Sequence, residues 1–65
     1  MIFAENFRQL RIERGYSQSD VAKKLRLTQP FISAIETGTT NLTIERMSVL
    51  SRFLGVPLHQ LLTPR

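Results

Sequence analysis

The sequence predicts an all-α fold of five short helices. Apolar residues recur at helical spacing in successive stretches, whereas no alternation of period two lasts beyond four residues. Serine, threonine or proline stands at the start of four of the stretches, and glycine follows three of them, as capping chemistry requires. No internal repeat and no low-complexity segment interrupts the pattern.

The first helix is expected over residues 3–14, where Phe3, Phe7, Leu10 and the stem of Arg14 share one face and Glu5, Arg8, Gln9 and Ile12 fall elsewhere. Gly15 closes it. Ser17 caps a second helix from Gln18, with Asp20 completing a capping box, and Val21, Ala22 and Leu25 turned inward. That helix stops near Arg26. Thr28 caps the third, about Gln29 to Thr37, with Pro30 in its first turn, where a missing N–H leaves no intrahelical bond unmade. Ile32 and Ile35 share its inner face with Glu36 beside them, while Pro30, Ser33, Ala34 and Thr37 share the outer one. Gly38 closes it, and Thr39 to Leu42 connect to a fourth helix capped by Thr43. This helix runs to Leu54, with Ile44, Met47, Leu50, Ser51 and Leu54 inward, and is closed by Gly55. Pro57 opens the fifth, Leu58 to Leu62.

Sixty-five residues are expected to form a single domain, 1–65. Such a chain buries only about 60% of the surface it exposes unfolded, so its stability should be modest. With no cysteine and the single histidine His59, neither a disulfide framework nor a soft-ligand zinc site can be assembled, and no cofactor is expected. One histidine, no paired carboxylates in a cleft and no phosphate-cradling glycine loop argue against an enzyme. The acid and amide interruptions in MIFAENFRQL do not fit a secretory signal, no segment suits a membrane span, and no helix pairs a strongly basic face with an aromatic one. The expectation is therefore a cytoplasmic protein. Nine basic against five acidic residues, +4 overall, favour an anionic partner.

An outer helical face of Gln, Pro, Ser, Ala and Thr is unusual for solvation alone, which generally uses Lys and Glu. It suits a close-fitting polar slot. The DNA major groove, about 12 Å wide, admits one helix; Gln bonds adenine bidentately, Ser bonds several bases, and Ala or a proline ring touches the thymine methyl. A merely solvated, capping-rich surface remains the alternative on these residues alone.

From Leu10 to Leu62 the chain resembles the phage repressor and Cro group of helix-turn-helix proteins, the lambda-repressor-like fold. The resemblance rests on LRIERGYSQSDVAKKLRLTQPFISAIETG followed by NLTIERMSVLSRFLGVPLHQLL. It implies a bacterial or phage-encoded transcriptional regulator that binds double-stranded DNA, with the second helix crossing the backbone and the third in the major groove. Gln29, Pro30, Ser33 and Ala34 would face bases; Gln18, Thr28, Thr37, Thr39 and the amides after Gly38 would hold backbone oxygens. Ser17 and Thr28 are needed as caps whether or not DNA binds. Arg11 and Glu36 match a pair that orients the third helix, with arginine donors left over for a phosphate, although a mobile surface pair would explain the same residues.

Two departures stand out. Arg26 occupies the turn position usually held by glycine, so the turn there either differs or adopts a left-handed conformation costing about 1 kcal/mol. The loop Thr39 to Leu42 lacks basic residues; Arg46 and Arg8 are the nearest replacements, with Lys23, Lys24 and Arg26 adding longer-range attraction. Phe31 fits either the core or a wedge against a sugar or methyl group. Val49, Phe53, Leu58 and Leu62 form a second apolar stripe that suits a homodimer, or packing of Phe53 within one subunit. No second domain is seen to bind a small-molecule effector, so occupancy is expected to follow protein concentration. The competing function is a protein-interaction module, antitoxin- or adapter-like, using Val49, Phe53 and Leu58.

Overall fold

The computed structural model describes residues 1–65 and contains five helices, α1 (Ile2–Glu13), α2 (Gln18–Leu25), α3 (Gln29–Thr37), α4 (Ile44–Phe53) and α5 (Leu58–Leu62). The all-α expectation holds, with helix ends displaced by a residue at most. Arg14 and Leu54, expected as last helical residues, are the caps of α1 and α4. No helix is long and apolar enough to cross a membrane.

The core lies where α1, α2 and α3 converge above α4 and α5. Phe3, Phe7 and Leu10 from α1 meet Val21 and Ala22 from α2 and Ile32 and Ile35 from α3; Leu50, Leu54 and Leu61 close it from below. The Phe3 and Phe7 rings, one helical turn apart, lie nearly parallel with centroids 5.9 Å apart. Two inward assignments need correction. Ile44 is exposed, because α4 meets the core through its C-terminal half: burial rises from Ile44 through half-buried Met47 to buried Leu50. Arg14 is also exposed; standing beyond the last turn of α1, it donates from Nε to the Leu54 carbonyl at 3.1 Å instead of burying its stem.

Nothing in the sequence pattern marks Asn6, yet it is buried on the inner face of α1. Its amide nitrogen donates to the carbonyls of Leu61, at 3.0 Å, and Thr63, at 2.8 Å. These carbonyls end α5 and have no intrahelical donor of their own, so the asparagine holds the last helix to the first.

α1 to α4 all end on the same hydrogen-bond pattern. After α3, the Thr39 N–H reaches the Ala34 carbonyl at 3.0 Å and the Gly38 N–H reaches Ile35 at 3.2 Å, with Gly38 left-handed at φ 72°. After α2, the corresponding bonds run from Leu27 to Ala22, 2.8 Å, and from Arg26 to Lys23, 3.3 Å, with Arg26 at φ 57° and ψ 41°. Arg26 thus adopts the left-handed conformation rather than altering the turn. It is the only residue other than glycine with positive φ. Its conformational cost, about 1 kcal/mol, is offset by those two bonds and by Leu27, which packs against the core immediately after it. The turn between α2 and α3 therefore has the backbone conformation of a glycine turn, built with an arginine.

Candidate nucleic-acid interface

α2 begins with a complete capping box. The Asp20 N–H donates to the Ser17 hydroxyl and the Ser17 N–H donates to the Asp20 carboxylate, both at 2.9 Å. The bonds from the Ser17 backbone and side chain hold the Asp20 carboxyl below its ordinary range, with Lys23 adding a smaller effect in the same direction. At α3 the Thr28 hydroxyl accepts the Phe31 N–H at 3.3 Å. Both caps form as the sequence predicts, which fixes where each helix starts and which side chains lead it.

Glu36 is the hub beneath the outer face. Its carboxylate accepts from Arg11 Nε at 2.6 Å and Nη2 at 3.0 Å, a bidentate pair with both side chains buried. Arg11 Nη1 donates to the Tyr16 carbonyl at 2.7 Å. The expected pair is therefore real and buried, and the mobile surface pair is excluded. Burial also counts against the expected phosphate contact of Arg11: its guanidinium is turned inward on Glu36 and Tyr16.

The network continues outward. Gln18 Nε2 donates to Glu36 Oε1 at 3.0 Å, and Gln29 Nε2 donates to Gln18 Oε1 at 2.6 Å. Gln18, expected to hold a phosphate at the start of α2 with help from the helix N–H groups, also bridges Glu36 and Gln29 through its side-chain amide. Spacing along the chain gave no sign of this, because Gln18 and Gln29 meet only through the angle between α2 and α3. No buried side-chain nitrogen or oxygen lacks a partner anywhere in the molecule.

Gln29 and Pro30 are exposed at the start of α3, while Ser33 and Ala34 are half-buried further along it. At its far end the Thr37 and Thr39 hydroxyls lie 3.0 Å apart, and Thr37 Oγ1 donates back to the Ser33 carbonyl at 3.1 Å or the Ala34 carbonyl at 3.3 Å. The two threonines thus form one exposed hydroxyl cluster. Thr28 is exposed at the cap. Phe31 rests half-buried against the core, with the Arg46 guanidinium carbon 5.3 Å from its ring centroid. Of the second apolar stripe, Val49 and Leu62 are exposed, whereas Phe53 and Leu58 pack against the core. The Phe53 ring meets Tyr16 at a centroid distance of 5.1 Å, so packing within the chain accounts for much of that side chain.

A Neisseria meningitidis hypothetical transcription factor is 32% identical over 63 residues, 97% of this chain and 59% of its own length. Its crystal structure superposes with a TM-score of 0.89, covering 97% of this chain and 72% of that one. The HTH-type transcriptional regulator DdrOP3 of Deinococcus deserti is 36% identical over 95% of this chain and 48% of its own length. The chain thus spans about half the length of these two curated relatives, 59% and 48%. A crystal structure of SinR, the master regulator for biofilm formation, in complex with DNA matches with a TM-score of 0.82 and 34% identity, over 94% of this chain and 98% of that one. Residues 7–61 match the helix-turn-helix family as a whole, and with the α2–turn–α3 geometry above, the chain is a member of that family.

Proposed function

We propose that this chain is a sequence-specific binder of double-stranded DNA and acts as a transcriptional regulator, with α3 in the major groove. The observation that carries the reading is the relay from Arg11 through Glu36 and Gln18 to Gln29. Gln18 holds one Gln29 amide hydrogen, and the other hydrogen and the Oε1 acceptor have no partner within the chain on this exposed side chain. That is the donor–acceptor pair an adenine edge requires. A glutamine with free rotamers would lose side-chain entropy on binding; one already held loses less. Ser33, Ala34 and Pro30 complete the base-facing surface, and Thr28, Thr37 and Thr39 supply hydroxyls toward the phosphates. The crystal structure of a relative in complex with DNA supports the same reading.

The chain measures 26 × 24 × 18 Å between its outer Cα atoms. Two copies side by side can therefore set their reading helices about 34 Å apart, one turn of DNA. A homodimer on a pseudo-palindromic operator is accordingly part of the proposal, with exposed Val49 and Leu62 as its apolar contacts and Phe53 and Leu58 behind them. A regulator of this kind acts in the cytoplasm of a bacterium, and no small-molecule effector or enzymatic activity is assigned to it.

Selection from a randomised duplex library, followed by anisotropy titration, tests this directly. A selected site should bind at least a thousandfold more tightly than random duplex. Gln29→Ala should then lose about 1–3 kcal/mol at one base pair and relax the preference there. Equal affinity for selected and random duplex would refute sequence reading, and a loss that is uniform across sequences would make Gln29 a backbone contact.

A further inference from the structure

α3 carries no basic residue, yet a cation is built onto its flank from outside. Arg46, in the first turn of α4, holds its guanidinium carbon 5.3 Å from the centroid of the Phe31 ring. The ring is fixed in turn, because Phe31 lies in the first turn of α3 and packs half-buried against the core. Every ion pair in the structure lies elsewhere, in Arg11–Glu36 and Arg65–Glu13. No hydrogen bond uses the Arg46 side chain, although its backbone N–H donates to the Thr43 hydroxyl at 3.1 Å.

We propose that Phe31 is a positioning residue for Arg46: the ring sets the guanidinium beside the start of α3, charged and with its donors free, to meet a phosphate flanking the groove that α3 enters. This rests on the DNA-binding reading above. A carboxylate would also fix an arginine, but it would neutralise the charge and occupy the donors. An aromatic face attracts the cation without doing either. The arrangement answers both features the sequence left open, an aromatic residue without an assigned place and a loop without cations. It also makes the phosphate contact part of the reading helix, so that a shift of α3 in the groove would carry the clamp with it.

The test is a double-variant cycle on the selected operator, with affinity measured across a salt series and the DNA-free protein followed by NMR. Phe31→Leu keeps an apolar side chain against the core but removes the ring. It should weaken binding about two- to fivefold, the scale of an exposed cation–aromatic contact, and leave the salt slope unchanged, since the phosphate contact still forms. Phe31→Trp should restore affinity. Arg46→Ala should make the slope of log K against log salt shallower by about 0.9, and adding Phe31→Leu to it should cost nothing more. Without DNA, the Arg46 Nε–H resonance should show an upfield ring shift that Phe31→Leu abolishes. The positioning role is overturned if Phe31→Leu costs the same with or without Arg46, if the ring shift is absent, or if Arg46→Ala leaves affinity and slope intact on an operator the wild type reads. A wild type that reads no operator overturns the DNA-binding reading itself, and the clamp with it.

Discussion

Two arginine–glutamate pairs tie α1 to distant parts of the chain, and burial is what separates them. Arg11 and Glu36 meet at 2.6 Å with side chains 9% and 2% exposed, whereas Arg65 and Glu13 meet at 2.9 Å with side chains 52% and 49% exposed. The outer pair has no further partners. The inner one anchors Tyr16 and Gln18, and through Gln18 it reaches Gln29. Taking two charges out of water costs several kcal/mol per ion before their attraction offsets it. A pair like Arg11–Glu36 is therefore weak evidence for stability and better evidence for geometry: it links α3 to α1 and supports the Gln29 amide at the head of α3.

The largest expected effect comes from breaking the inner pair on one side. Glu36→Gln leaves the Arg11 charge buried without its counter-ion and should cost about 3–5 kcal/mol. For a chain this short that rivals the whole folding free energy, which runs at about 0.05–0.15 kcal/mol per residue. Urea unfolding measures it; a loss under about 1 kcal/mol would mean that the pair behaves as an exposed one. The double replacement of Arg11→Met with Glu36→Leu sharpens the point. Removing both charges should recover most of the stability, while Gln18 loses its anchor and operator discrimination falls. If discrimination survives, the pair does not orient the reading helix.

Asn6 separates burial from charge, because it is as buried as Arg11 but neutral. Asn6→Ala leaves the Leu61 carbonyl without its donor in the interior, a cost of about 1–3 kcal/mol. The loss should fall between those of the two ion pairs, with hydrogen exchange speeding first in α5. An effect as large as that of Glu36→Gln would show that buried polarity alone, and not an unpaired charge, sets the penalty.

How much of this the sequence could reveal follows from the range of each interaction. Caps and stops act over three or four residues, so Ser17, Thr28, Thr43 and Gly38 are legible and the helix bounds come within a residue. Arg26 shows the limit of such local rules: the residue disfavours the left-handed turn, and packing after it imposes the turn anyway. The Arg11–Glu36 pair was legible through the family pattern, but its burial was not. The Gln18–Gln29 and Phe31–Arg46 contacts depend on the angles at which helices cross, which no spacing encodes. Asn6 is not legible in the sequence, because an asparagine on a helix ordinarily faces solvent and its partners lie more than fifty residues away. Ile44 departs from its inward assignment because periodicity gives the face of a helix but not how far along it the core extends.

The smallest expected effect belongs to the outer pair. Arg65→Ala should change stability by less than about 0.5 kcal/mol, because two long exposed side chains lose rotamer freedom in meeting and water competes for both charges. Salt then distinguishes the pairs more cleanly than size of effect. At 1 M the screening length falls to about 3 Å, so any gap between wild type and Arg65→Ala should close as salt is added. The Glu36→Gln deficit should persist, since salt screens the charge of a buried arginine far less than that of an exposed one. Thermal unfolding of the wild type and both variants across one salt series makes the comparison within a single experiment. If salt closed both gaps alike, burial would not be what separates the pairs, and the relay to Gln29 would rest on a contact as yielding as any on the surface.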